Sequence, residues 1–242
     1  MIPNASLYDI DPGPDCPEIV RVIIEIPKGS GNKIEYDSKL GVFRLDRALY
    51  SPMHYPGDYG FIPGTMAGDG DPIDVLCLVN EPSFTGCLIE SRPVGVLYMA
   101  DEMGVDEKIL AVPTRNPRYD QIHTLDQIFP HVRREIEHFF TIYKELQGVV
   151  PKMEGWGGPP EARRAITESR ARYLELQKKK EESENSWSRD ISTVDTNTFD
   201  ISAKNPNKKE EKTLRQPQEI LTEMKELDKE SDEILKSIVK LI

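Results

Sequence analysis

Residues 69–79 read Asp-Gly-Asp-Pro-Ile-Asp-Val-Leu-Cys-Leu-Val, an acidic turn that runs straight into an apolar stretch. Gly70 lets the backbone turn tightly, Pro72 fixes it, and Asp74 enters the apolar run with its carboxylate already placed. Ile73 to Val79 therefore reads as a buried strand fed by an acidic loop. A second acidic turn, Asp101-Glu102-Met103-Gly104-Val105-Asp106, lies between the strand-like runs Pro93 to Met99 and Lys108 to Val112. Two like charges about 4 Å apart cost about 1 kcal/mol in water and roughly 4 kcal/mol at an effective dielectric near 20, so clustered carboxylates call for cations. Hard oxygens on short side chains suit Mg²⁺, an ion commonly completed by substrate phosphate. An EF-hand calcium loop is excluded, because its sixth position should be Gly and its twelfth Glu, whereas Asp74 and Asn80 stand there.

Upstream, Ile19 to Ile26 is rich in β-branched residues and stops at Pro27, as a mostly buried strand interrupted by Glu25 would. Gly29-Ser30-Gly31-Asn32 predicts a hairpin turn into Lys33-Ile34-Glu35-Tyr36, where alternation puts Lys33 and Glu35 on one face, able to line a cavity. Short, closely spaced strands favour a small barrel over a βαβ sheet. Between Asp46 and Gly64, Pro and Gly predict an irregular loop in which Arg47, Tyr55 and Tyr59 interleave. Beyond Pro130, the spacing of Val132, Ile136, Phe139, Tyr143 and Leu146 predicts a helix over 131–147, and Pro159-Pro160-Glu161 opens a second helix to about Gln177.

The chain has 242 residues and a net charge of −11, enough for one sizeable core plus an appendage. Residues 1–176 carry 18 Lys+Arg against 27 Asp+Glu, and residues 177–242 carry 13 against 15. Residues 1–177 read as the globular domain, 178–216 as a polar, flexible linker too poor in apolar surface to offset ordering entropy, and 217–242 as an amphipathic helix. In the last, Ile220, Met224, Leu227, Ile234, Ile238 and Leu241 form a heptad-like stripe interrupted at Ser231. An acidic chain without a basic stripe is not expected to bind duplex nucleic acid. Cys16, Cys77 and Cys87 lack metal-ligand spacing and read as buried free thiols. With no leader-like N-terminus and no long apolar window, a cytoplasmic protein without membrane contact is expected.

Lys33, Arg47, Lys108 and Lys144 are cations in segments able to converge on the acidic turns, and an anion site needs such charge opposite the metal. Tyr59 and Tyr143 add phenolic donors. Lys28 to Lys33 lacks the order of a P-loop, and neither a Gly-x-Ser-x-Gly elbow nor a His-Glu-x-x-His pair is present.

These segments together resemble the family I soluble inorganic pyrophosphatases, whose hexapeptide Asp-Gly-Asp-Pro-aliphatic-Asp is matched at Asp69 to Asp74. Glu25 in Ile-Glu-Ile-Pro, Lys33-Ile-Glu35-Tyr, Asp46-Arg47, Tyr55-Pro-Gly-Asp-Tyr59-Gly, Asp101-Glu102, Asp106 to Lys108, Tyr143-Lys144 and Glu154-Gly-Trp156 resemble family segments in order, over roughly residues 15–175. The resemblance implies Mg²⁺-dependent hydrolysis of inorganic diphosphate on a small closed, OB-like five-stranded β-barrel with flanking helices. By motif position it implies metal-holding Asp69, Asp74, Asp101 and Asp106, a general base at Asp71, and phosphate-gripping Lys33, Arg47, Tyr59, Tyr143 and Lys144. Glu25, Glu35 and Lys108 are implied as supporting members of the cavity. A metal-activated water would attack in line without a phosphoenzyme.

The resemblance also implies a homo-oligomer, hexameric in many bacterial members. Simple bacterial members end soon after the helix closing near Gln177, so the tail stands apart as an oligomer contact, a docking helix or a dispensable appendage. Two other functions compete: a catalytically silent phosphate-binding scaffold that uses the C-terminal helix, and a Mg²⁺ phosphatase of organic phosphates.

Overall fold

β-Branched runs punctuated by Pro and Gly set the framework. The computed structural model describes residues 6–101, 104–179, 182–183, 186–187, 227, 229 and 231. Its strands are β1 (Val20–Ile26), β2 (Asn32–Asp37), β3 (Val42–Ala48), β4 (Asp58–Phe61), β5 (Asp74–Cys77), β6 (Leu88–Asp101), β7 (Gly104–Pro113) and β8 (Lys152–Gly157), with helices α1 (Pro130–Ile142) and α2 (Pro159–Lys179). β1, β4, β5, β7 and β6 pair in that order, and β6 returns to β1, closing the expected five-stranded ring, with β8 attached outside it to β6. Among the described residues, β5–β7 is the only parallel pairing.

Period-two alternation gives the barrel strands two faces, and apolar clusters cover both. Val20, Val22 and Ile24 of β1 join Val75, Val96, Ile109 and Ala111 in one buried cluster with Ala162, Ala165 and Ile166 of α2. Leu76, Leu97, Met99 and Leu110 face the other way, against Ile136, Phe139 and Phe140 of α1. Fully burying each large side chain contributes about 1.5–3 kcal/mol, so the two clusters dominate the stability of this unit. At Gly60 on β4 a Cβ would lie 1.9 Å from the Ile23 carbonyl oxygen, so only glycine permits this approach to β1.

Three strands were not read from the sequence, and the turn at residues 29–32 does not pair β1 with β2, since β1 pairs with β4 and β6 and β2 with β3. β3, Val-Phe-Arg-Leu-Asp-Arg-Ala, has mixed burial because it pairs with β2 alone, as a separate ribbon. β4 lies inside the stretch expected to be irregular, since Gly60 there serves strand contact rather than a turn. β8 contains Gly155 at φ +107°, where the register with β6 shifts. The helix expected over 131–147 ends at Ile142: Lys144 leaves helical geometry at φ −106°, ψ 0°, and a 3-10 turn follows, closed by Gly148 at φ +80°.

The chain divides into units 1–180 and 181–242. In the second, Glu182–Ser183 pairs antiparallel with Ser186–Trp187, and residues 227, 229 and 231 are helical. Most of 178–216 and 217–242 lies outside the described residues. No described helix is long and apolar enough to cross a membrane. All three cysteines are free: Cys77 is buried beside Ser91, whereas Cys16 and Cys87 are half-buried.

Candidate active site

The acidic loop is built by its own backbone. The Ala67 N–H donates to the Asp71 carbonyl at 2.7 Å, the Asp71 N–H to Asp69 Oδ1 at 3.1 Å, and Gly70 sits at φ +95°. This turn delivers Asp69 and Asp71 beside Asp74, the first residue of β5. Asp74 is in parallel register with Lys108 of β7, and Asp106 lies two residues earlier on the same face.

Lys108, 7% exposed at its side chain, bridges the two carboxylates, reaching Asp106 Oδ1 at 2.7 Å and pairing also with Asp74. Burial acts to lower the Lys108 pKa, but Asp74 and Asp106 outweigh it and hold the ammonium well above its ordinary value. Its Nζ stands 5.8 Å from the centroid of the buried Tyr59 ring.

A cavity of about 450 Å³ opens in front of this bridge. Asp69, Asp71, Asp74, Asp106 and Lys108 line it from the loop and barrel, Glu25 and Tyr59 from β1 and β4, Lys33 and Glu35 from β2, and Tyr143 and Lys144 from the end of α1. Lys33 pairs with Glu35 and lies 3.8 Å from Asp46. Tyr143 stacks on Phe139 at 5.3 Å, and the Lys144 ammonium lies 5.4 Å from the Tyr143 ring.

Burial governs the electrostatics. It raises the Asp71 pKa, with Asp69, Asp74 and Glu35 adding repulsion, and raises that of Asp106 against the opposing pull of Lys108. Glu25 is pushed up to about 8, chiefly by burial and despite accepting the Tyr36 N–H at 2.7 Å. The Tyr143 phenol is pushed to about 12 and that of Tyr59 well above its usual value, so both are neutral hydrogen-bond donors.

Carboxylates on one wall and ammonium and phenol donors on others form a setting for a small polyanion with cations. A family model described as inorganic pyrophosphatase matches residues 22–174, which hold every one of these groups. The chain belongs to the inorganic pyrophosphatase family.

An inorganic pyrophosphatase of Methanosarcina acetivorans is 50% identical over 161 residues, covering 66% of this chain and 96% of its own. One of Geobacillus stearothermophilus is 46% identical over 158 residues, 65% of this chain and 96% of its own. Among solved structures, the crystal structure of inorganic pyrophosphatase from Thermus thermophilus has a TM-score of 0.69 at 43% identity, covering 70% of this chain and 99% of that one.

Within this family fold two of the residues singled out from the sequence stand apart. Arg47 sits opposite Lys33 on β3 but does not line the cavity: it pairs with Asp46, and its buried Nε has no hydrogen-bond partner among the described residues. Asp101 ends β6 opposite Gly104, and its side chain lies outside the described part of the structure. Among the described residues no three acidic, His or Cys side chains form a ready metal cluster, and Lys108 takes up two of the carboxylates. Sequence reasoning also missed Tyr8, Lys39 and Arg44, which line the cavity from outside any motif. Arg44 lies 3.7 Å from Asp37 and 4.0 Å from Glu35. Only the alternation Phe43-Arg44-Leu45 in a strand paired with β2 could have signalled it.

Proposed function

We infer that this chain hydrolyses inorganic diphosphate to two phosphates, using divalent cations held by Asp69, Asp74, Asp101 and Asp106, with Mg²⁺ as the ion. The observation that carries the reading is the cavity in which three of these carboxylates, Asp69, Asp74 and Asp106, face Lys33, Lys144, Tyr59 and Tyr143 in a chain of the pyrophosphatase family. The donor set fits such a cation in kind: every donor is a hard oxygen, and the burial and mutual repulsion that raise Asp71 and Asp106 are what bound positive charge relieves. When bound, the cations would supply Lewis-acid activation of a water, taking its pKa from 15.7 towards about 7, and neutralise phosphate charge.

The chain's own residues divide the remaining work. Asp71, raised by burial and by its acidic neighbours, accepts the proton given up by the attacking water. Lys33, Lys144, Tyr59 and Tyr143 bind the phosphates, joined by Arg47 when it exchanges Asp46 for phosphate, and they stabilise charge on the leaving group, where losing one preorganised donor typically costs about 10²-fold or more. Lys108 holds Asp74 and Asp106 in place, Glu35 orients Lys33, and Glu25 fixes the backbone of β2. No covalent intermediate is required.

The reading includes a cytoplasmic homo-oligomer that contacts neither nucleic acid nor membrane. Its test is phosphate release from diphosphate and from a nucleoside triphosphate under the same Mg²⁺. Strong preference for diphosphate is expected, and equal or greater release from the nucleotide would replace it with a broader phosphatase.

A further inference from the structure

The β2–β3 ribbon brings Lys33 and Glu35 to the cavity yet shares no strand pairing with the barrel. A two-stranded ribbon alone is marginal in water, so its position must come from elsewhere. Tyr36, next to Glu35 in the chain, is held at three points. Its N–H donates to Glu25 Oε1, its carbonyl accepts the Tyr8 hydroxyl at 3.2 Å, and its own hydroxyl accepts the Leu7 N–H at 3.1 Å. The Tyr8 ring adds edge-on contacts to Tyr36 at 5.2 Å and Phe61 at 5.0 Å, linking ribbon to β4.

Two of those three bonds come from the segment before residue 22, where the family match begins. That segment is tied on its other side to α2. The Tyr173 hydroxyl donates to Asp9 Oδ1 at 2.7 Å, Gln177 Nε2 to the same oxygen at 3.3 Å, and Arg170 to Asp11 Oδ2 at 3.2 Å. The Tyr8 carbonyl also accepts the Gly64 N–H at 2.7 Å, anchoring the segment beyond β4. A chain of directional contacts thus runs from α2 through Asp9 and Tyr8 to the strand that presents Lys33.

We propose that Tyr8 is a positioning residue for diphosphate hydrolysis, fastening the β2–β3 ribbon to the barrel so that Lys33 and Glu35 face the carboxylates. This rests on the reading of the cavity as the diphosphate site. Tyr8 also lines the cavity, but its hydroxyl is engaged by the Tyr36 carbonyl, and it acts through that strand. A role confined to filling space beside Phe61 would make the ring matter and the hydroxyl not.

The test combines turnover with hydrogen exchange of the full chain, for wild type, Tyr8→Phe, Tyr8→Ala and the remote Tyr173→Phe. Because misplacing a binding group by about 1 Å can cost about 10²-fold, Tyr8→Ala should lower kcat/KM by about tenfold or more. Tyr8→Phe, which keeps the ring, should lower it by about fivefold, the size of one neutral hydrogen bond. In metal-free buffer both should speed amide exchange across β2–β3 and leave β5 and β7 unchanged, with Tyr173→Phe shifting the ribbon in the same direction by less. Ribbon exchange unchanged in Tyr8→Ala, or exchange accelerated equally throughout with kcat/KM near wild type, would overturn the proposal. Should wild type itself fail to release phosphate, the functional reading falls, and the exchange measurement still decides whether Tyr8 fastens the ribbon.

Discussion

Replacing Lys108 by Met removes the ammonium between Asp74 and Asp106 while keeping most of the stem's volume. At 2.7 Å and an effective dielectric near 20, the attraction to Asp106 alone is about 6 kcal/mol before desolvation is counted. Removing one member of a buried ion pair typically costs about 3–5 kcal/mol, since the remaining charge is left uncompensated. Here the two carboxylates keep side-chain exposures of 29% and 26%, so water screens part of the loss and about 3 kcal/mol is expected. Urea unfolding in chelator should read this as a lowered midpoint at unchanged slope. Mg²⁺ should then stabilise the mutant more than wild type, because a cation can take over the neutralisation; saturation at 100 times Kd contributes about 2.7 kcal/mol. A loss below about 1 kcal/mol in chelator, the range of an exposed pair, would refute the buried-bridge account. So would an identical Mg²⁺ effect on both proteins.

Glu25 titrates near 8 when folded against an ordinary 4.5, so in chelator the folded chain holds the extra proton between those values, and stability falls as pH rises from about 4.5 through 8. Glu25→Gln should flatten this slope, worth on the order of a few kcal/mol, and an unaltered urea midpoint-versus-pH curve would remove Glu25 as its source. Asp74→Ala should raise the Mg²⁺ concentration needed for half-maximal activity, and an unchanged titration would take Asp74 out of the metal set. Gly60→Ala forces a Cβ to within 1.9 Å of the Ile23 oxygen, and thermal melting should register at least the 1–3 kcal/mol typical of overpacking, about the upper end or more; a wild-type melting temperature would mean that β1 and β4 are not so tightly apposed.

The barrel strands legible in the sequence were those buried on both faces. β1, β5 and β7 each contain an uninterrupted apolar run, Val22 to Ile24, Val75 to Cys77 and Ile109 to Val112, because α1 and α2 cover opposite sides of the sheet. β3 and β4 were illegible for opposite reasons: β3 is a ribbon with no full core face, and β4 uses glycine for strand contact, which in sequence looks like a turn. The site was legible through Asp69, Asp71 and Asp74 because short-range turn chemistry places them, and through Lys33 and Glu35 because period two puts them on one face. Tyr8 was not legible, since its place depends on its own contact with Tyr36 and on that of its neighbour Asp9 with Tyr173 of α2, more than 150 residues away. The pairing of Arg47 with Asp46 was not legible either, because it joins sequence neighbours whose geometry no motif specifies.

The most direct measurement is phosphate release from diphosphate by the full chain, with and without Mg²⁺, beside Asp71→Asn. Fast Mg²⁺-dependent release that drops by about 10²-fold or more in the mutant, with metal affinity retained, is the predicted result. No release from folded, metal-bound wild type would contradict the account and leave a phosphate-binding scaffold; undiminished release by Asp71→Asn would remove Asp71 as the base.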